Sequence, residues 1–194
     1  MPAPYDLRPV TTAVAALLPQ VHDSDLDGPT PCEGTTVRRM LFHLIGLSTA
    51  FRDAARKDLG PTTSTPPDDM ETNLPGDWRT VLPDLLVELA EAWDNPDAWD
   101  GMTQAGGVDV PGVVGGQIAL NEVTVHGWDL ARATGQPYAL DDTTLQAAYD
   151  LMWPPDEQQR EGIFGPVVEV PADAPLLDRV MGLSGRDPGW ARPR

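Results

Sequence analysis

Two histidines and a glutamate have the spacing of a metal-binding site, in a chain that contains only three histidines. Glu122 and His126 are four residues apart, so a helix would place the carboxylate and the imidazole on one face. His43 lies within the otherwise apolar residues 41–45, where a buried imidazole needs a polar partner. If the two segments face each other, two imidazoles and one carboxylate meet, a set typical of catalytic metal sites with an open coordination position.

The same residues also permit a simpler interpretation. Glu122 and His126 can form an ordinary salt bridge between helix turns, and His43 can be a core histidine satisfied by a hydrogen bond. Spacing alone leaves both interpretations open and identifies no catalytic residue. Asp129 and Arg132 lie beyond His126 on the same segment, and they are candidates to orient the site from behind, with exposed helix positions as the alternative.

Five amphipathic segments would position these side chains. Thr35 or Thr36 offers the capping hydroxyl of the second segment, and Asp141 or Asp142 offers the capping carboxylate of the fifth. Gly135 is expected to end the fourth segment in a left-handed conformation. Helical spacing of apolar residues predicts helices over about residues 7–21, 36–57, 78–93, 117–134 and 142–152.

The connections between these helices are long. Residues 60–76 are rich in Pro, Thr and Asp and predict a surface loop, and residues 101–116 form a glycine-rich stretch that fits no periodicity. The C-terminal tail is expected to be extended over residues 164–170 and helical over 176–183, with Gly185 ending the helix.

Four long amphipathic helices with almost no alternating strand pattern predict an all-α fold built on a four-helix bundle. We expect one domain over residues 1–194, with long crossover loops and a small C-terminal embellishment. Pro83 is expected to mark the start of the third helix or to kink its first turn. The long connections after the second and third helices permit an arrangement other than simple up-down-up-down.

The net charge of −17 and the sequence pI near 4.2 argue against nucleic acid or an anionic membrane as partners, because phosphate would be repelled. A small anionic substrate would need a local positive centre, which a bound metal would provide. The single cysteine, Cys32, excludes an intramolecular disulfide and suits a reducing cytosol. No signal peptide or membrane span is evident, so a cytoplasmic location is expected.

Nine short segments form a recognisable combination. They are residues 30–34 (Thr-Pro-Cys-Glu-Gly), 36–38, 43–44, 121–123, 126–135, 164–166, 170–175, 178–179 and 185–188. Together they resemble the actinobacterial branch of the DinB-like superfamily, which includes the N-terminal domain of mycothiol-dependent maleylpyruvate isomerase. Two positions depart from the usual pattern, since Thr35 replaces a tryptophan and Arg39 an acidic residue.

The resemblance implies a DinB-like bundle in which a histidine of the second helix and a Glu-x-x-x-His pair of a later helix hold a divalent metal. His43, Glu122 and His126 match these positions residue by residue. Zinc is the expected ion, with nickel, cobalt and manganese as alternatives, and mycothiol is the expected cosubstrate. The implied function is activation of a low-molecular-weight thiol for S-transfer to, or isomerisation of, a small electrophilic substrate.

Two rival functions stay open at this point. A metal-dependent hydrolase would use metal-bound water and would need a base other than Glu122. A non-enzymatic binding or stress-linked bundle would use the metal only to staple two helices together. The expected partners are a small-molecule substrate and a thiol, without nucleic acid or membrane, and the sequence leaves a homodimer open.

Overall fold

The computed structural model describes residues 3–65, 73–153 and 164–193. The helices are α1 (Arg8–Leu17), α2 (Val37–Arg56), α3 (Pro61–Ser64), α4 (Trp78–Asp94), α5 (Gly112–Ala133), α6 (Asp142–Met152) and α7 (Leu176–Leu183). Two strands, β1 (Met102–Ala105) and β2 (Val108–Pro111), form an antiparallel hairpin. The predicted helical fold is confirmed. None of the helices in the described ranges is both long enough and apolar enough to cross a membrane.

Four helices enclose the core. α2 packs against α4 and α5, and α1 packs against the same two helices, so α1 and α2 lie diagonally across the bundle. The connection from α4 to α5 also crosses the bundle, which is the departure from a simple up-down order that the long loops permitted. The buried side chains form one cluster whose largest members include Trp93, Leu41, Leu44, Leu86, Leu120 and Leu130.

Several helices begin or end at the residues that the sequence predicts. Thr36 Oγ1 accepts a hydrogen bond from the Arg39 amide at 3.3 Å and caps α2. Asp141 Oδ1 accepts one from the Thr144 amide at 2.9 Å and caps α6. Gly135 follows α5 with a φ of 69°, a conformation that costs glycine nothing sterically. These predicted boundaries are confirmed.

The prediction of an irregular loop over residues 101–116 is wrong, because β1 and β2 pair there. Gly106 and Gly107 have φ values of 57° and 82°, and two consecutive positive φ values form the turn whose twist matches antiparallel strands. Thr103 Oγ1 donates to the Ala54 carbonyl at 2.6 Å and anchors the hairpin to the end of α2. The two adjacent glycines were the sequence signal for this turn.

α5 begins at Gly112 rather than at residue 117. Its first turns contain several glycines, which disfavour a helix by about 1 kcal/mol each relative to alanine. At Gly116 a Cβ atom would lie 2.3 Å from Trp99 Cζ3, so only glycine allows the indole to lie directly on the helix backbone. Tertiary packing therefore overrides the local preference.

α4 begins at Trp78, and Pro83 lies inside the helix rather than at its start. The expectation that Pro83 marks the helix start is therefore wrong. Pro83 is the sixth residue of this helix, so the helix lacks the one amide hydrogen bond that would reach back to the Arg79 carbonyl. Trp78, Leu82 and Leu86 are all buried, and their burial extends the helix in the N-terminal direction.

The C-terminal part of the chain packs onto α5 through α6, and α7 packs onto α6. α7 has the predicted bounds, and Gly185 follows it with a φ of 84°. No strand forms over residues 164–170, although the Val168 amide donates to the Gly182 carbonyl at 3.0 Å. This segment therefore contributes a backbone hydrogen bond to α7 rather than a strand.

Two predictions fall partly outside the described residues. The predicted loop over residues 60–76 begins with α3, and its residues 66–72 lie outside the description. α6 ends at Met152, the predicted residue, and Pro154 and Pro155, which follow this end in the sequence, lie outside the description.

Candidate metal centre

The three predicted ligands lie together between α2 and α5. Their nearest nitrogen and oxygen atoms are all within 4.8 Å of one another. Glu122 Oε2 is 3.2 Å from His126 Nε2 and 3.6 Å from His43 Nε2. The two imidazole rings are nearly perpendicular, at 87°, with their centres 4.7 Å apart. The structure therefore brings together residues that are far apart in the sequence.

The centre lies at the edge of the apolar core. Met40 and Leu44 are buried on either side of His43 along α2, which places the imidazole at the border of the packed face. The side chains of His43 and Glu122 are 22% and 25% exposed, and that of His126 is 13% exposed. All three side chains are therefore partly exposed, and the centre is not sealed inside the core.

The electrostatics of the three residues are coupled. Burial by itself would raise the pKa of Glu122, but the hydrogen bond from His126 and the nearby His43 outweigh it and lower that pKa. Burial would lower the pKa of His126, but hydrogen bonds to Asp129 and Glu122 outweigh it and raise the pKa to about 10. Both pKa shifts favour an ion pair between the Glu122 carboxylate and the His126 imidazolium.

A second layer of charge lies behind His126. His126 Nδ1 donates to Asp129 Oδ2 at 3.0 Å, which leaves Nε2 directed towards Glu122. Asp129 is completely buried, and Arg186 donates to both of its oxygens, from Nη2 at 3.0 Å and from Nε at 3.3 Å. Burial opposes the charge of Arg186, but Asp129 outweighs this effect and raises the pKa of the guanidinium.

The structure separates the two residues that were expected to orient the site. Asp129 lies directly behind His126, whereas the Arg132 guanidinium points to the C-terminal tail, where it donates to the carbonyls of Pro188 and Trp190. The reason is helical geometry, because Arg132 follows His126 by six residues and so lies on a different face of α5. Sequence reasoning gave Arg186 no role, since its partner is 57 residues away.

The donor set fits a divalent ion. Ligand atoms bound tetrahedrally at about 2.1 Å are roughly 3.4 Å apart, and the two distances to Glu122 Oε2, 3.2 and 3.6 Å, are close to that separation. Imidazole and carboxylate donors suit zinc and its first-row neighbours. Three protein donors also leave at least one coordination position for another molecule.

The fold and the site define a class of helical bundles in which two facing helices bring together two imidazoles and one carboxylate. The chain belongs to the mycothiol maleylpyruvate isomerase N-terminal domain family, whose model matches residues 7–131. The family resemblance of the sequence is thereby confirmed. The matched segment contains His43, Glu122 and His126 and ends before Arg186.

Two kinds of relatives were found. Uncharacterized proteins of Mycobacterium tuberculosis, from strains CDC 1551 and H37Rv, are each 28% identical over 182 residues, covering 90% of this chain and 92% of theirs. The crystal structure of the mycothiol-dependent maleylpyruvate isomerase is similar in fold, with a TM-score of 0.58 and 20% identity. The similarity covers 75% of this chain and 66% of the enzyme chain. A histidine-to-alanine mutant of that enzyme gives a TM-score of 0.54.

Proposed function

We propose that this protein is a metal-dependent enzyme that activates a low-molecular-weight thiol, with mycothiol as the cosubstrate, to isomerise or S-conjugate a small electrophile. The convergence of the partly exposed side chains of His43, Glu122 and His126 carries the proposal. Membership of a family described by mycothiol and maleylpyruvate isomerisation supports the choice of thiol.

In this proposal the three residues hold a zinc ion, for which cobalt, nickel or manganese can substitute. A divalent ion at this point supplies positive charge that favours the thiolate form of a nearby thiol at neutral pH. Glu122 contributes one negative charge and one oxygen. Asp129 accepts a hydrogen bond from the Nδ1–H group of His126 and so keeps Nε2 available on the side of Glu122.

The proposed reaction needs no cofactor besides the ion and the thiol. The thiol proton leaves to solvent, and the thiolate sulfur forms a bond to an electrophilic carbon of the substrate. If the sulfur adds to a double bond, rotation about the resulting single bond and expulsion of the thiolate give the isomer. If another group leaves with its electron pair instead, the product is an S-conjugate.

The hydrolase alternative has less support from the geometry. Hydrolysis would need a base beside the ion, separate from Glu122. Asp129, the carboxylate behind His126, is completely buried and bound to both His126 and Arg186. It is therefore not free to accept a proton from water, and thiol activation requires no such base.

The first test is direct metal analysis of protein purified without a histidine tag. We expect about one equivalent of metal per chain, and its loss in His43→Ala. The matched control is His22→Ala, because His22 is exposed and is the remaining histidine of the chain. Equal metal content in the two variants would contradict the assignment of His43.

The second test reports the thiol. In cobalt-substituted protein, mycothiol should produce a sulfur-to-cobalt charge-transfer band in the near ultraviolet and should release protons, because the bound form is a thiolate. S-methyl mycothiol, which cannot form a thiolate, is the control and should produce neither signal. If millimolar mycothiol gives no band with protein that binds cobalt, thiol activation is wrong.

A further inference from the structure

Asp129 is a buried carboxylate whose charge is not explained by the three predicted metal ligands alone. Its side chain has no solvent exposure, and an ionised carboxylate in that environment requires charge compensation as well as hydrogen bonds. Among the described residues, Arg186 is the one lysine or arginine that forms an ion pair with it. The guanidinium lies in the C-terminal tail, beyond the segment that defines the family.

We propose that Arg186 is a positioning residue of the metal centre, acting through Asp129 on the imidazole of His126. This inference rests on the proposed function, because it concerns the same metal site. Arg186 contacts both carboxylate oxygens, and such a two-point contact fixes the plane of the carboxylate as well as its distance. The Nδ1–H group of His126 therefore meets an acceptor of fixed position.

The tail is itself held in place on both sides of Arg186. Arg186 Nη1 donates to the Ser184 carbonyl at 3.0 Å, close to the end of α7. Downstream, Arg132 Nε donates to the Trp190 carbonyl at 3.1 Å. The Arg186 side chain is only 12% exposed, so solvent competes little for its hydrogen bonds. The guanidinium is consequently preorganised before any metal binds.

Loss of this contact should loosen the site and leave the bundle intact. The hydrogen bonds of Arg186 go to Asp129 and to the Ser184 carbonyl, not to a predicted metal ligand. Arg186→Gln therefore leaves His43, Glu122 and His126 in place. Partners that orient a metal-bound histidine typically contribute 10- to 100-fold in metal affinity. We expect Arg186→Gln to weaken zinc and cobalt binding by roughly this factor. Arg186→Lys keeps the charge but not the two-point contact, so its loss should be smaller.

The experiment measures zinc affinity by competition with a chromophoric chelator in full-length wild-type protein and in variants. Arg192→Gln is the matched control, because Arg192 also fastens the tail, through Asp25, but does not contact Asp129. Its zinc affinity should equal that of the wild type. If Arg192→Gln weakens zinc as much as Arg186→Gln does, general anchoring of the tail explains the effect and the proposal is wrong.

A double-mutant cycle tests the route through Asp129. Asp129→Asn should weaken zinc by itself, and adding Arg186→Gln should cause no further loss, because the two residues act in series. Independent, multiplying losses would overturn the proposal. If Arg186→Gln does not fold, Arg186→Lys replaces it in the same cycle. A zinc affinity of Arg186→Lys equal to that of the wild type, with no coupling between Arg186→Lys and Asp129→Asn, also overturns the proposal.

A readout without metal completes the test. In metal-free protein labelled with ¹⁵N-histidine, the Nδ1–H proton of His126 should give a slowly exchanging NMR signal that broadens or disappears in Arg186→Gln and persists in Arg192→Gln. Failure of the inference and failure of the proposed function are distinguishable. If wild-type protein binds no metal, the proposed function fails, whereas tight binding that is equal in wild type and Arg186→Gln refutes only the role of Arg186.

Discussion

Replacing Gly116 by alanine sets two opposing effects against each other in α5, the helix that carries Glu122 and His126. Alanine in a helix interior is favoured over glycine by about 1 kcal/mol. The new Cβ atom, however, would lie 2.3 Å from Trp99 Cζ3, 2.6 Å from Trp99 Cη2 and 2.9 Å from Trp93 Cε3. All three distances are shorter than van der Waals contact, so the neighbouring rings would have to move.

Neither ring is free to move. Trp99 Nε1 donates to the Trp93 carbonyl at 2.8 Å, and Trp93 Nε1 donates to the Phe51 carbonyl at 3.0 Å. Overpacking of a core costs about 1–3 kcal/mol, and a clash with two anchored indoles belongs in the upper part of that range. After the gain in helix propensity is deducted, Gly116→Ala should lower the free energy of unfolding by about 1–2 kcal/mol.

Urea unfolding followed by circular dichroism measures this change. The midpoint should fall with an unchanged slope, and the melting temperature should fall by roughly 2–8 °C for a chain of this size. Gly76→Ala is the control, since no atom lies within 4 Å of its new Cβ, and it should change stability by less than about 0.5 kcal/mol. In a Trp99→Leu background the loss at Gly116 should shrink. Stabilisation by Gly116→Ala in the wild-type background would refute the reasoning.

Two further predictions concern the cap of α6 and removal of the metal. Asp141→Ala should lower the urea midpoint by an amount equivalent to about 1 kcal/mol. Since hydrogen bonds from Thr144 lower the pKa of Asp141, that contribution is present above about pH 4 and should fade as the pH falls through the folded-state pKa. Chelation should lower the melting temperature only by the stabilisation that metal binding itself adds to the folded state. It should leave the far-ultraviolet spectrum unchanged, because the apolar core does not include the three ligands. Loss of helical signal on chelation would instead favour a structural staple.

The sequence indicates which residues belong to the candidate site better than it indicates how the helices bring them together. Glu122 and His126 are one helix turn apart, and helical periodicity is enough to place them on one face. His43 was recognisable because its neighbours are apolar. Periodicity does not determine that α2 and α5 are adjacent in the bundle, since several pairings of four amphipathic helices bury the same residues. The family resemblance supplied that pairing.

The errors in the fold arose where contacts between distant residues override local preference. The first turns of α5 contain glycines that predict a loop, yet Trp99 packs against Gly116 and requires the absence of a side chain. Pro83 predicts a helix boundary, yet the buried Trp78 extends α4 before it. At Gly116 the deciding residue, Trp99, lies 17 positions away in the sequence, whereas Trp78 lies five residues before Pro83 and its burial outweighs the proline.

Arg186 could not be assigned for a different reason. Its side chain matters because Asp129 is buried and Arg186, 57 residues further along the chain, forms an ion pair with it. An aspartate on an amphipathic helix is usually exposed, so a surface position and an orienting one were equally consistent with the sequence. A buried carboxylate becomes evident only in three dimensions, and the search for its counter-charge then leads to the tail.

The pairing of Asp129 with Arg186 also determines the charge that a thiol would meet. A divalent ion held by the single carboxylate of Glu122 retains one positive charge for an incoming thiolate. Asp129, alone behind His126, would cancel that charge at short range in a medium of low dielectric constant. Because Arg186 neutralises Asp129 through direct contact, the carboxylate can orient His126 without making the site neutral. With such an ion bound, a protein of net charge −17 would keep one small region that attracts an anion.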